Sequence, residues 1–198
     1  MNSGTVLRDV NETLRQLLKT NIPEFTDDNG ITFDSPGDVE VSNTPRLSVF
    51  LYQVAENPHL RNNEREYTVG TNNQMAYPPV TLDLYYLITP YAQNRETELI
   101  ILERLIQLFY DQAGLEGPVL QGNLAATGNN KLRIVPHNLA LEELHRLWEG
   151  FPNKPFKLSL SYLVTPVKIP SGRVETVPTV AKRKIILHHG SGTEERLL

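Results

Sequence analysis

Apolar and polar positions along this chain change period several times, and each change marks an element. Val6, Val10, Leu14 and Leu17, flanked by Leu7 and Leu18, recur at helical spacing and predict a helix over residues 4–20. Ser3 is placed to cap it and Pro23 to stop it. "DDNG" at 27–30 signals a turn, and the weak alternation in "DVEVS", within the polar stretch 31–44, predicts a short strand. "RLSVFLYQV", 46–54, alternates cleanly: Leu47, Val49 and Leu51 face one way, Ser48, Phe50 and Tyr52 the other. It reads as a strand whose aromatic second face is partly covered. Two polar loops follow, 55–66 and 68–79, the second with room for a short strand.

"LDLYYLITP", 82–90, predicts a strand with Leu82, Leu84, Tyr86 and Ile88 on one face, ended by Pro90. Residues 94–113 predict a helix capped by Asn94 and closed by Gly114. Its apolar stripe of Leu99, Leu102, Ile106 and Phe109 is widened by Ile101, Leu105 and Leu108, so burial on more than one side is expected. "NNKLRIVPHN", 129–138, is a strand ended by Pro136. A helix over 139–149 follows, capped by Asn138 and closed by Gly150, with Leu141, Leu144, Leu147 and Trp148 as its apolar positions. A last core strand spans 156–166. The proline-interrupted stretch 167–190 ends in "KRKIILHH", an arm or edge strand, and "GSGTEERLL" is expected to be a mobile tail.

The last core strand echoes the earlier one: "LSLSYLVTP", 158–166, matches 82–90 at six of nine positions. Two half-buried strands of one sheet obey the same alternation, which explains the echo without an internal duplication. The element order predicts an α+β fold, a largely antiparallel sheet flanked by helices, with a β-rich C-terminal arm. The division falls between a core domain, 1–166, and an extension, 167–198.

The 198 residues suffice for one domain with a sizeable core. A net charge of −4 argues against wholesale nucleic-acid binding, and no nucleic-acid partner is expected. With no cysteine there is no disulfide, thiolate metal site or cysteine nucleophile. No apolar run approaches the roughly 20 residues that span a bilayer, and the first residues lack a signal-peptide pattern. Assembly in the cytoplasm, with no membrane partner, is the expectation. A product released by lysis would carry the same sequence features.

Candidate chemistry is sparse. Neither a G-x-S-x-G elbow nor an H-E-x-x-H motif is present. "GNLAATGNNK", 122–131, has one residue too many for a phosphate loop, and Asn129 stands where the lysine belongs. It reads as a turn between short strands. His188 and His189 are adjacent, so in a strand they point to opposite faces and cannot readily share an ion. His59, His137 and His145 read as loop or surface residues. No cofactor, metal or catalytic residue is expected. "AKRK", 181–184, is either a lysine-protected strand edge or a contact for an acidic partner surface.

Three stretches together resemble the cap, or tail-terminator, proteins of contractile phage-tail-like injection systems: "LSVFLYQVAENPHLRNNE" (47–64), "YPPVTLDLYYLITPYA" (77–92) and "ALEELHRLWEGFPNKPFKLSLSYLVTPVKIPSG" (140–172). The most specific block runs from Leu51 to Asn62. The resemblance implies a tail-terminator-like fold and a structural, non-enzymatic role. It implies a homohexameric ring that ends the inner tube and anchors the last row of sheath, so that the partners are further copies of the chain, the tube protein and the sheath protein. Asn57, Leu60, Arg61 and Asn62 are then candidates for a ring or tube contact, and Lys182, Arg183, Lys184, Ile185, Ile186 and Leu187 for a sheath or neighbour contact. The alternatives are a joining or baseplate component of the same particle, or a small-molecule-binding domain or enzyme with a pocket of Tyr52, Tyr85, Tyr86 and Trp148.

Overall fold

The stripe of Val6, Val10, Leu14, Leu17 and Leu18 forms one buried face of α1 (Val6–Asn21). The computed structural model describes residues 3–25, 28–60, 67–68, 74–151, 154–176, 184–189 and 192–197. Along them follow β1 (Ile31–Thr32), β2 (Arg46–Glu56), β3 (Tyr67–Thr68), β4 (Gln74–Ala76) and β5 (Val80–Tyr91). Next come α2 (Arg95–Asp111), β6 (Gly114–Glu116), β7 (Lys131–Pro136), α3 (Leu141–Glu149) and β8 (Leu160–Ile169), then β9 (Val174–Thr176), β10 (Lys184–His189) and β11 (Gly192–Leu197). Two compact units result, 1–63 with 79–170, and 64–78 with 171–198. The sequence reading divides the chain at 166 and leaves 64–78 with the core. Pairing of β4 with β9 is what joins 74–76 to 174–176.

The larger unit is α+β. Its six-stranded sheet has the order β1-β2-β5-β8-β7-β6, antiparallel except for the two-residue pairing of β1 with β2. The echoing stretches are neighbours in it. Tyr86 stands opposite Tyr162, its own counterpart, with Leu84 opposite Val164 and Ile88 opposite Leu160. The pairing is a local two-fold, so similar alternation on both strands sends matching residues to the same face. On that face Leu47, Val49, Leu84, Tyr86, Ile88, Leu132, Ile134, Tyr162 and Val164 form one cluster with the buried residues of α1 and α2. The Tyr86 hydroxyl donates to Asn11 Oδ1 on α1 (2.7 Å), and Phe109 on α2 meets the Tyr162 ring edge-on at 4.7 Å.

Neither proline ends its strand. Pro90 lies past the last pair with β8 and leaves no β8 ladder bond unmade. Pro166 falls where Leu82 pairs with Val167 but Leu84 with Val164, so Thr165 and Pro166 together oppose Asp83. An extra residue in a bulge has no ladder partner, and proline is tolerated there. β2 carries a second irregularity, since Leu51 opposes Tyr86 and Gln53 opposes Tyr85, leaving Tyr52 extra.

Three polar ties lock the elements to this sheet. Glu98 on α2 is 4% exposed; it accepts from Lys157 Nζ, from Arg95 Nη1 (3.0 Å) and from the Ala92 N–H (3.4 Å). Burial pushes its carboxyl up, but the Lys157 and Arg95 hydrogen bonds, the Lys157 charge and the Ala92 N–H outweigh that and hold it below the ordinary range. The second tie is on α1. Asp9 Oδ2 accepts the Asn123 N–H (3.0 Å), and Thr13 Oγ1 accepts the Gln121 N–H (3.0 Å). The chain passes so close that a Cβ on Gly122, whose φ is +63°, would sit 2.4 Å from Asp9 Cγ. In the third, the Asn129 amide donates to Lys168 O (2.8 Å) and accepts from Lys168 N–H (2.7 Å), acting as a one-residue strand beside β8. "GNLAATGNNK" is therefore structural: its first glycine and Asn129 serve close packing, and it lies in the connection between the short strands β6 and β7, as expected, with one 3-10 turn at 125–127.

Several boundaries differ from expectation. "DVEVS" forms no strand; Ser35 Oγ accepts from the Gly37 N–H (3.1 Å), and 36–38 make one 3-10 turn. The short strand is Ile31–Thr32 instead. Gly114 does not close α2 but opens β6, because the Gln112 N–H already ends the helix on Leu108 O (2.8 Å). The first turn of α3 is bound by Glu143, which accepts the Ala140 N–H (2.9 Å), rather than by Asn138. The helices do not gather on one face: Phe50, on the face away from α1, packs its ring on Phe151 after α3 at 5.9 Å. In the smaller unit, β3-β4-β9 form a three-stranded sheet, and β10 pairs with β11, so 192–197 is a strand rather than a tail.

The ties generate two predictions. Gly122→Ala should destabilise the protein by roughly 3 kcal/mol, from a left-handed φ and a clash with Asp9; a melting curve unchanged from wild type would contradict this. Glu98→Gln should cost about 3 kcal/mol at neutral pH. Since the folded carboxyl titrates below its unfolded value, that contribution is full above the usual carboxylate range of about 4 and fades as pH falls through the depressed value. Denaturant titrations of both proteins should show a gap that narrows in acid; a gap independent of pH would refute the pairing.

Candidate functional site

The block from Leu51 to Asn62 is the end of β2 and the loop that follows it. Asn57 organises this loop from within. Its N–H donates to Thr81 O (2.8 Å), and its Oδ1 accepts from the N–H groups of His59 (3.0 Å) and Leu60 (3.2 Å). Its Nδ2 donates to Asp83 Oδ1 (3.0 Å), which also accepts from Thr165 Oγ1. Asp83, 8% exposed, is therefore an anchor between the β2 loop and the β8 bulge rather than a surface residue. Pro58 and His59 stand exposed beyond the anchor, and Leu60 is half-buried. Arg61 and Asn62 lie outside the described residues, so of the four candidates the structure places only Asn57 and Leu60.

Of the second group, Lys182 and Arg183 lie outside the described residues. Lys184, Ile185, Ile186 and Leu187 run along β10, opposite Leu197, Arg196, Glu195 and Glu194 of β11. Two strands alone make a marginal sheet in water, and three or a packed face are needed for independent stability.

The four aromatic residues of the suggested pocket do not meet. Tyr86 points into the α1 side of the sheet, where burial pushes its phenol well up, while Tyr85 lies on the other face. Trp148 packs edge-on against Phe151 (5.4 Å) and against Phe156 (5.8 Å). Tyr52 and Tyr85 do share a face, and join two residues that read from the sequence as a loop histidine and a strand serine. The Tyr52 hydroxyl lies 3.0 Å from both His137 Nδ1 and Ser161 Oγ, which are 3.2 Å apart, and the His137 ring stands 4.8 Å from Tyr85. Tyr52 is the extra residue of β2 and stays on the face of Phe50 and Tyr85. Burial raises the Tyr52 phenol, and the Ser161 hydrogen bond only partly opposes it. The three polar groups satisfy one another, so the cluster is a brace across β2, β7 and β8. Beside it, a cleft of about 360 Å³ is lined by Ile106, His137, Leu139, Leu144, Leu160 and Ser161, among others. Among the described residues no group of three or more His, Asp or Glu could hold a metal ion, and no helix is long and apolar enough to cross a membrane.

What the site offers is shape and hydrogen-bonded loops at one end of a rigid sheet. Asn57→Ala should remove the three side-chain hydrogen bonds that hold the loop while leaving the sheet folded. The expected loss is about 1–3 kcal/mol, with faster proteolytic cleavage within 57–66; unchanged cleavage would show that Asn57 does not hold the loop.

The comparisons with known proteins agree with this picture. The Pvc16 N-terminal domain family matches residues 9–183. The cryo-electron microscopy structure of the sheath/tube terminator of PVC, an extracellular contractile injection system, in its extended state, has 24% identity over 96% of this chain, with a TM-score of 0.67. The tube-terminating cap of the anti-feeding prophage has 21% identity over 87%, with a TM-score of 0.59. The chain spans 66% and 58% of those two chains. No curated protein matches it. The fold is that of these terminators, and the chain belongs to the Pvc16 N-terminal domain family.

Proposed function

We propose that this chain is a structural cap that terminates the inner tube, and anchors the last sheath row, of a contractile phage-tail-like injection particle. The observation that carries the reading is the fold shared with a sheath/tube terminator over 96% of the chain. The polar groups of the larger unit support it: Asp83, Tyr52, His137 and Ser161 are bound to neighbours in ways that stiffen loops and strands. A rigid body is what docking by shape requires, and a tube end is a repeated surface that a ring of identical subunits can match. The working form is a homohexameric ring, assembled in the cytoplasm and carried on the particle thereafter. Its partners are the tube protein, the sheath protein and further copies of itself. Asn57, Leu60, Arg61 and Asn62 belong to the loop proposed to meet the ring or tube, and Lys182 to Leu187 to the segment proposed to meet sheath or neighbour.

Purified particles carrying a compact tag on this subunit should show the label at the end opposite the baseplate, in six copies. Particles lacking the subunit should have tubes of irregular length. A label at the baseplate, or within the tube, would make the chain a baseplate or joining component and end the cap reading.

A further inference from the structure

The expectation that α2 is covered on two sides fails at one place. Leu99 and Ile106 are about half exposed, at 48% and 50%, and Tyr110 is 85% exposed. Together with Glu103 they recur at i, i+4, i+7 and i+11 and share one face of the helix. Glu96 and Glu103 are exposed on the same side, and Asp111 is exposed on the flank. Among the described residues none of the three has an ion pair, whereas Arg104 on the flank is held by Glu24. Ile106 also lines the cleft, together with Leu144, Leu160 and Ser161. The surface is thus an apolar strip set with carboxylates, beside a cleft wide enough to take an apolar side chain. A contiguous apolar strip of this kind marks an interaction surface. Its charges select a partner that is both basic and apolar.

The chain itself holds one such segment. Lys182, Arg183 and Lys184 are the only adjacent cations in the sequence, and Ile185, Ile186 and Leu187 follow directly. The last four of these residues lie on β10, whose described hydrogen-bonded neighbour is β11 alone. We propose that the outer face of α2, with the cleft beside Ile106, receives residues 182–187 of a second copy of this chain. The cations meet Glu96 and Glu103, and the apolar residues cover Leu99, Ile106 and Tyr110. The docking links neighbouring subunits head to tail, since the two surfaces differ, and a head-to-tail contact closes into a ring when its rotation allows. The inference rests on the ring of the proposed cap and assigns the contact that closes it.

The absence of cysteine from the chain makes the test clean. Full-length chains bearing Ile106→Cys and differently tagged chains bearing Ile186→Cys are mixed, allowed to assemble and oxidised. With the two chains mixed in equal amounts, disulfides joining the two tags are expected in about half of the assembled chains, since each outer face meets a segment of the other kind about half of the time. Glu103→Lys should raise the concentration for half-assembly about fivefold, and Arg183→Glu in the same chain should restore it, as for one exposed ion pair of about 1 kcal/mol. Glu103 is exposed on the helix, so circular dichroism should be unchanged. A ring that assembles without the mixed disulfide overturns the inference. So does failure of Arg183→Glu to restore assembly or, in whole particles, capture of the tube or sheath protein by the Ile186→Cys chain in place of its own second copy. The mixed disulfide in a ring that sits elsewhere than a tube end would keep this contact and overturn the cap instead.

Discussion

The pairing of β5 with β8 is the constraint on which the rest of the larger unit depends. β5 is bonded on both sides, to β2 and to β8, and its residues from Leu84 onward are almost all buried. Tyr86 is set opposite Tyr162, and each ladder of β5 carries one irregularity: Thr165 and Pro166 of β8 face Asp83, and Tyr52 is the extra residue of β2. A one-residue slip would turn Leu84, Tyr86, Ile88 and Val164 out of the core together, and the apolar area at stake far exceeds any single hydrogen bond.

Those two irregularities are where the sheet departs from a plain scaffold. Opposite Asp83, the bulge brings Thr165 to the carboxylate that also holds Asn57, so the loop after β2 is positioned from the centre of the sheet. At Tyr52 the strand turns an aromatic hydroxyl onto His137 and Ser161, tying β2 to strands it does not touch in the ladder. The helices are held by a different means. A buried Glu98 with Lys157 on one side, and the close passage of Gly122 over Asp9 on the other, fix α2 and α1 against the same face. Buried charges of this kind give geometry rather than large net stability, since desolvation opposes the attraction.

With its interior polar groups largely satisfied in this way, the molecule's unmet demands lie on its surface. Exposed Leu99, Ile106 and Tyr110 on α2 stand beside carboxylates that have no cation among the described residues, and among those residues β10 and β11 pair with each other alone. Surfaces left incomplete in one chain are what a repeated assembly completes, which accords with a family whose fold is shared with tube-terminating caps.

Much of the architecture was legible from residue order. Alternation at 46–54 and 82–90, helical spacing at 4–20 and 94–113, and the Asn94 cap all depend on neighbours within a few positions, where local sterics and the binary pattern decide. The family resemblance was legible for the same reason, since it lives in contiguous blocks. Long-range geometry was not. That Tyr86 would oppose Tyr162, that Pro166 would sit in a bulge, and that Gly122 would press on Asp9 depend on residues far apart in the chain. His137 and Ser161 carried no local signal because their partner Tyr52 lies 85 and 109 positions away in the chain. The bareness of α2's outer face was likewise hidden: a sequence shows that a helix is apolar all round, but only packing decides which sides the same chain can cover.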